Sequence, residues 1–165
     1  MKIGSRIRRL IAAISLIAAG GIWLGAGQSV AAAPTVIKLT QVGCQFLESE
    51  HGVDHGFKPK RKADCDRINA ETGPARLAEA GALRLKPGEY VFRVTNKNVP
   101  YELGFWLREE DYNWKNPLHR LTKISVSGGG LTLGKTQDYK VELKAGKYLY
   151  SCPLNTTPDY VLIVE

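Results

Sequence analysis

From Thr35 onward, apolar and polar side chains alternate with the period of two that places one strand face in a core and the other in solvent. "TVIKLTQV" sets Ile37 and Leu39 against Lys38 and Thr40, and "EYVFRVT" sets Tyr90, Phe92 and Val94 against Val91, Arg93 and Thr95. "YELGFWL", following Pro100, predicts a more continuously apolar strand. In "TQDYKVELKAGKYLYSC", Val141 and Leu143 precede an Ala145-Gly146 turn, after which Tyr148, Tyr150 and Cys152 share a face; "DYVLIVE" supplies a last strand. Strands at this spacing, separated by Gly and Pro turns, predict an all-β fold, a two-sheet sandwich.

Two segments break the alternation. Residues from about 47 to 82 read as a helical and loop insertion. Within it "TGPARLAEAG" predicts a helix with Thr72 or Gly73 as N-cap, Pro74 in the first turn and Gly81 as the stop. Residues 109–130, polar, aromatic and ending in three glycines, predict a long loop, in which Trp114 is the aromatic expected to face a partner. Tyr101, Phe105, Trp106, Tyr148 and Tyr150 are expected to fill the core.

The first 32 residues have the pattern of a targeting segment: Lys2, Arg6, Arg8 and Arg9 without an acid, an apolar stretch containing glycines, then small residues up to Ala32 and Ala33. Cleavage there leaves a domain of residues 33–165 in the periplasm or outside the cell. The alternative is retention as a membrane anchor. Arg8-Arg9 also hints at export of a folded chain through a twin-arginine route. The whole chain has 23 basic and 16 acidic residues; without those four cations the balance is 19 to 16, or +3. That charge does not call for nucleic acid as a partner. "KPKRK" at residues 58–62 is expected to be a solvated run. The expected state is a monomer with no membrane insertion once the segment is removed.

"CQF" at the end of the first strand, "LKPGEYVFRVTN", "VPYELGFWL" and "LKAGKYLYSC" occur in the order found in cupredoxins. Over residues 35–46 and 83–165 the chain resembles that family, which includes plastocyanin and azurin, and the resemblance implies a Greek-key β-sandwich. The resemblance implies a copper site of two imidazoles, one thiolate and a weak axial ligand. Its thiolate position falls on Cys152. The first imidazole position falls on Tyr101, and the region of the second holds Asn155, so both are degenerate ligand positions. A standard blue-copper centre is therefore not expected, and the resemblance points to a binding or accessory protein with a periplasmic protein as its partner. Its binding surface is expected at the old metal end, formed by Tyr101, Asn155 and the 109–130 loop.

Three cysteines allow one internal disulfide and three pairings. A Cys44–Cys65 bridge would pin the insertion to the sandwich and leave Cys152 free, facing inward. The alternative function is copper binding or electron transfer through a non-standard site in which Cys152 acts with His55 or His51, supplied by the insertion "ESEHGVDHGF". Against it stands an ordinary polar loop in which Asp54 and His55 make turn hydrogen bonds. The chain has no Gly-rich phosphate loop, Cys-x-x-Cys pair or His-Glu-x-x-His motif, and an enzyme is not the expectation.

Overall fold

The alternation becomes two sheets in the computed structural model, which describes residues 33–165; the targeting segment expected at 1–32 lies outside the described residues. The strands are β1 (Thr35–Val42), β2 (Gln45–Phe46), β3 (Ala82–Leu85), β4 (Gly88–Asn96), β5 (Leu103–Glu109), β6 (Ser125–Leu131), β7 (Thr136–Leu143), β8 (Gly146–Ser151) and β9 (Tyr160–Val164). One sheet has the order β2-β1-β4-β7 and the other β3-β9-β8-β5-β6. β1 runs parallel to β4 and β3 parallel to β9. β4 and β7 are antiparallel neighbours, although β5 and β6, which separate them in sequence, lie in the opposite sheet. That excursion and return is the Greek-key connection of a sandwich.

Between the sheets the inward side chains form one core, as the period of two requires. Leu39, Phe92, Val94, Leu107, Tyr148, Tyr150 and Leu162 are all buried in it. Phe105 is stacked against Phe92 at 5.5 Å, and Tyr150 against Tyr160 at 5.5 Å. Phe105, Tyr148 and Tyr150 take the core places expected of them, whereas Tyr101 and Trp106 are half-buried.

The insertion differs from its sequence reading. Its helix α1 spans Lys62–Ala80, so Thr72 and Gly73 are internal and Pro74 lies inside the helix. The start is fixed farther upstream by Asp64, whose Oδ2 accepts the N–H groups of Lys60 and Arg61 at 2.8 and 3.2 Å. Asp64 thus does the work of an N-terminal cap. Thr72 Oγ1 donates to the Ile68 carbonyl one turn back, at 2.8 Å, which accommodates it within the helix. Gly81, with φ +69°, ends the helix as predicted. "KPKRK" runs through the loop before α1 into its first residue.

The 109–130 segment also differs. Its second half is strand β6, paired with β5, and a short helix α2 (His119–Thr122) precedes it. Two of the three glycines are crowded by side chains, a Cβ on Gly128 meeting the Tyr139 ring at 3.0 Å and one on Gly129 meeting Glu102 Oε1 at 2.9 Å, while across the pair a Cβ on Gly104 would lie 2.6 Å from the Gly128 carbonyl oxygen. The registers Trp106↔Ser151 and Glu109↔Tyr148 put the start of β5 beside Cys152 and its end beside the Lys144–Gly146 turn. The connection 110–124 therefore leaves from the end of the sandwich opposite Cys152, separated from it by the length of β5, roughly 20 Å at ~3.3 Å per residue. Only the glycines of β6 return towards the Cys152 end, so the loop as a whole does not border it.

Besides the Cys44–Cys65 disulfide and the packing of Leu77 and Ala80 against the core, a buried ion pair holds α1 to the sandwich. Arg76, whose side chain is 6% exposed, donates to Glu50 from Nε at 3.0 Å and from Nη2 at 2.6 Å. Nη2 also donates to the Cys44 carbonyl at 3.1 Å, and Nη1 to Asn69 Oδ1 at 2.6 Å. Glu50 in turn accepts the Tyr160 hydroxyl and lies 2.8 Å from His55 Nε2. Burial acts to raise the Glu50 carboxyl, but the bonds from Arg76 and Tyr160, the Arg76 charge and the His55 bond outweigh it and hold the group below its ordinary range.

Arg76→Met would strand that carboxylate, with an expected loss of about 3–5 kcal/mol in urea unfolding at pH 7. Because Glu50 is depressed in the fold, its contribution is full above the unfolded value and is lost as pH falls through the folded one. The native protein should thus lose stability with acid more steeply than Glu50→Gln. Identical acid limbs would remove Glu50 from the pH response.

Candidate functional site at the Cys152 end

Cys152 follows the last residue of β8, and its side chain is fully buried. The backbone holds it from both sides: its N–H donates to Thr157 Oγ1 at 2.8 Å, and its carbonyl accepts the Thr157 N–H at 3.2 Å. These bonds close the "PLNT" turn on itself. The sulfur accepts the N–H of Gly104 at 3.4 Å and that of Asn155 at 3.2 Å. Burial pushes the thiol up, the two amide bonds and the Gln41 side chain opposing it without reversing it. Gln41 is fully buried, and its Nε2 donates to the Gly104 carbonyl at 2.7 Å. Its Oε1 accepts no hydrogen bond among the described residues.

Asn155 organises the rest. Its Oδ1 accepts the Cys44 N–H at 3.1 Å and the Tyr101 hydroxyl at 3.1 Å, and its Nδ2 donates to the Val42 carbonyl at 2.8 Å. The Cys44–Cys65 disulfide lies against this amide, with Cys65 Sγ 3.2 Å from Asn155 Oδ1 and 3.8 Å from the Tyr101 hydroxyl. Cys44 itself has φ +62°, an uncommon conformation for a residue with a side chain. The disulfide, Asn155 and Arg76 all hold it there. Burial first, then Cys152 where it is ionised and the carboxylates of Asp64 and Asp66, push the Tyr101 phenol up to about 12, so it stays a neutral donor.

The histidines are engaged elsewhere. His51, in the left-handed conformation after a 3-10 turn at Glu48–Glu50, places Nε2 3.0 Å from the Glu79 carbonyl. His55 faces Glu50 through Nε2, and its ring stacks on Phe57 at 5.5 Å. Both line a small cleft with Glu50, Arg76 and Glu79. Asp54 Oδ1 accepts the Gly56 N–H at 2.8 Å, the turn bond expected of an ordinary polar loop. His119 Nδ1 accepts the Asn113 N–H at 2.9 Å in the loop at the opposite end.

The structure thus brings Cys152, Tyr101, Asn155, Cys44 and Cys65 together and does not bring His51 or His55 to them. Among the described residues, no group of three or more His, Cys, Asp or Glu side chains is placed to hold a metal. The donors present do not fit a blue-copper ion: one thiol whose burial favours the protonated form, a neutral phenol, and an amide whose oxygen and nitrogen are already bonded. Sequence reasoning picked out Tyr101 and Asn155 as ligand positions but missed Gln41, Glu50, Arg76 and Tyr160. Gln41 carried one signal, a polar side chain on the inward face of β1 with Leu39.

Fold and site together define a two-sheet Greek-key sandwich with a disulfide-pinned helical insertion and a buried, hydrogen-bonded thiol. A solved structure of auracyanin B is similar at 12% identity, over 82% of this chain and 93% of that one, with a TM-score of 0.47. No known protein-family profile matches the chain. No curated protein matches it either.

Asn155→Ala leaves the Cys44 N–H, the Val42 carbonyl and the Tyr101 hydroxyl without their partner. Unfolding should become easier by at least about 2 kcal/mol. Cys152, inert to an aromatic disulfide reagent in the native protein and reactive at one equivalent once unfolded, should react measurably faster in this variant. Native-state labelling as fast as that of a free thiol would show that burial does not protect Cys152.

Proposed function

We propose that the chain is an exported, cupredoxin-like binding or accessory domain that carries no standard blue-copper centre. The observation that carries this reading is the commitment of Asn155. At the position where the family resemblance implies a ligand, an amide spends both its oxygen and its nitrogen on Cys44, Tyr101 and Val42. Copper coordination there would first have to break those bonds and displace the disulfide packed on them.

A role in binding rather than catalysis is supported by the state of the reactive groups. The thiol is buried and shifted towards its protonated form. Glu50 is spent on Arg76, and Asp111 and Glu109 on Lys123. The strand order and the "LKAGKYLYSC" ending support the cupredoxin-like assignment, and the cationic, apolar N-terminal sequence supports export. On this reading the Cys152 end is a rigid surface offered to a protein partner, with Leu154 exposed in the "PLNT" turn.

The test is a copper titration of the reduced, metal-free protein, followed by desalting, metal analysis and visible absorption. The expected result is less than one-tenth equivalent of retained copper and no intense thiolate-to-copper band. One retained copper per chain with such a band, both lost in Cys152→Ser, would establish a copper protein and overturn the reading. If His55→Ala also abolished them, the non-standard site built from Cys152 and His55 would replace it.

A further inference from the structure

Large apolar side chains are exposed together at the end of the sandwich remote from Cys152. In the β5–β6 connection Trp114 is 59% exposed, Leu118 65% and Leu121 84%. Leu118, at the N-cap of α2, and Leu121, inside it, are three residues apart, the Leu121 N–H donating to the Leu118 carbonyl at 3.0 Å. The connection is nonetheless built rather than slack. The Asn113 and Asn116 side chains accept backbone N–H groups within it, and His119 ties it back to Asn113. Order is thus invested in a loop whose largest apolar groups are left in water, which favours an occupant outside the chain.

Charge says what kind of occupant. From Tyr112 to Lys123 the loop has three cations and no acid. Lys115, Arg120 and the neighbouring turn residue Lys144 form no ion pair among the described residues. The three acids behind them are paired with two other lysines, Asp111 and Glu109 sharing Lys123 and Glu110 meeting Lys147. Lys115 Nζ lies 5.5 Å from the centre of the Trp114 ring, so the cation and the amphipathic ring are presented side by side.

The chain enters the sandwich at this same end. Thr35 pairs with Tyr90, and Gly88, two residues earlier, pairs with Leu143 beside the turn that holds Lys144. The 32 residues before Ala33 begin with cations and continue as an apolar run. The described domain is joined to that sequence at this end.

From the loop's composition, its unpaired cations and the point where the chain enters, we infer that residues 112–122 form a peripheral membrane-docking surface for anionic phospholipid. Trp114, Leu118 and Leu121 enter the interface, and Lys115, Arg120 and Lys144 meet the headgroups. Trp is suited to that depth by an apolar ring with a polar N–H, and each cation near an anionic leaflet adds attraction that salt screens. Exposed Trp and Leu beside cations is the composition by which amphipathic segments bind an anionic lipid interface. The inference is independent of the Cys152 end, and copper results do not bear on it.

The test is co-sedimentation of the 33–165 domain, a compact unit with its own core, with phosphatidylglycerol-containing and pure phosphatidylcholine vesicles. Binding to the anionic vesicles is expected at low ionic strength, weakening in salt, with a blue shift of tryptophan emission that disappears in Trp114→Phe. Leu118→Ser with Leu121→Ser should reduce partitioning by more than about tenfold. Lys115→Glu with Arg120→Glu should do the same. All four positions are exposed or half-buried on a loop, and circular dichroism checks that the variants fold. No binding of the folded domain to anionic vesicles overturns the inference, as does binding unchanged in both double variants. A domain that ignores vesicles but binds an acidic polypeptide through these residues also overturns it in favour of a protein partner.

Discussion

A guanidinium group in the interior decides how this sandwich is assembled. Arg76 comes from an inserted helix that the sheets do not need, yet it is buried against Glu50 and touches the carbonyl of Cys44. Desolvating an arginine and a carboxylate costs several kcal/mol, returned only where geometry and further hydrogen bonds are good. Here the carboxylate also accepts the Tyr160 hydroxyl and faces His55, while the guanidinium reaches Asn69 and lies over the Phe57 ring at 5.2 Å. The arrangement is directional in a way that apolar packing is not: it fixes the rotation and height of α1 against the end of β1. Asn69, held by Arg76, can then donate to the Thr156 carbonyl in the turn after Cys152. One buried pair thereby reaches the candidate site through two hydrogen bonds.

At that site, polar bonds occupy a region where the family resemblance implies a metal. The sulfur of Cys152 keeps two backbone N–H donors, an arrangement that could also support a thiolate. Burial outweighs them here because no cation or imidazole stands beside the sulfur to favour the charge. Asn155 is neutral and fully bonded, and the Cys44–Cys65 disulfide is packed against it. The consequence is a closed, rigid end with every reactive group satisfied from within. Such an end can present a surface, and it is poorly suited to exchange a ligand.

Local periodicity made the sheets legible. The inward faces of β4 and β8 follow from Tyr90-Phe92-Val94 and Tyr148-Tyr150-Cys152, and the continuous burial of β5 follows from "LGFWL". The pattern misled where tertiary contacts overrode local signals. Pro74 and Thr72 look like a helix start, but Asp64 caps the helix two turns earlier. The three glycines look like a loop, but they lie in β6, where the Tyr139 ring and the Glu102 side chain crowd Gly128 and Gly129. The candidate site was half legible. Tyr101, Asn155 and Cys152 could be found because a family pattern assigns their positions. Glu50, Arg76 and Tyr160 could not, because an ion pair spanning 26 residues and a hydroxyl 110 residues away leave no periodic trace.

The two ends of the sandwich differ in how their order is used, and this bears on where a partner can act. At the Cys152 end a disulfide, a buried ion pair and an asparagine with three side-chain bonds converge on Cys44 and its neighbours, so local opening there must break several interactions at once. At the other end the 110–124 connection is tied by turn bonds and surface ion pairs, each worth little in water. Its large apolar groups contribute nothing to the core. Substitutions at Leu118 or Leu121 should therefore leave folding nearly untouched, whereas substitutions at Asn155 or Arg76 should be felt throughout the insertion. A surface whose residues can change without cost to the fold is free to be shaped by what it meets, and in this chain that freedom lies at the end where the polypeptide enters.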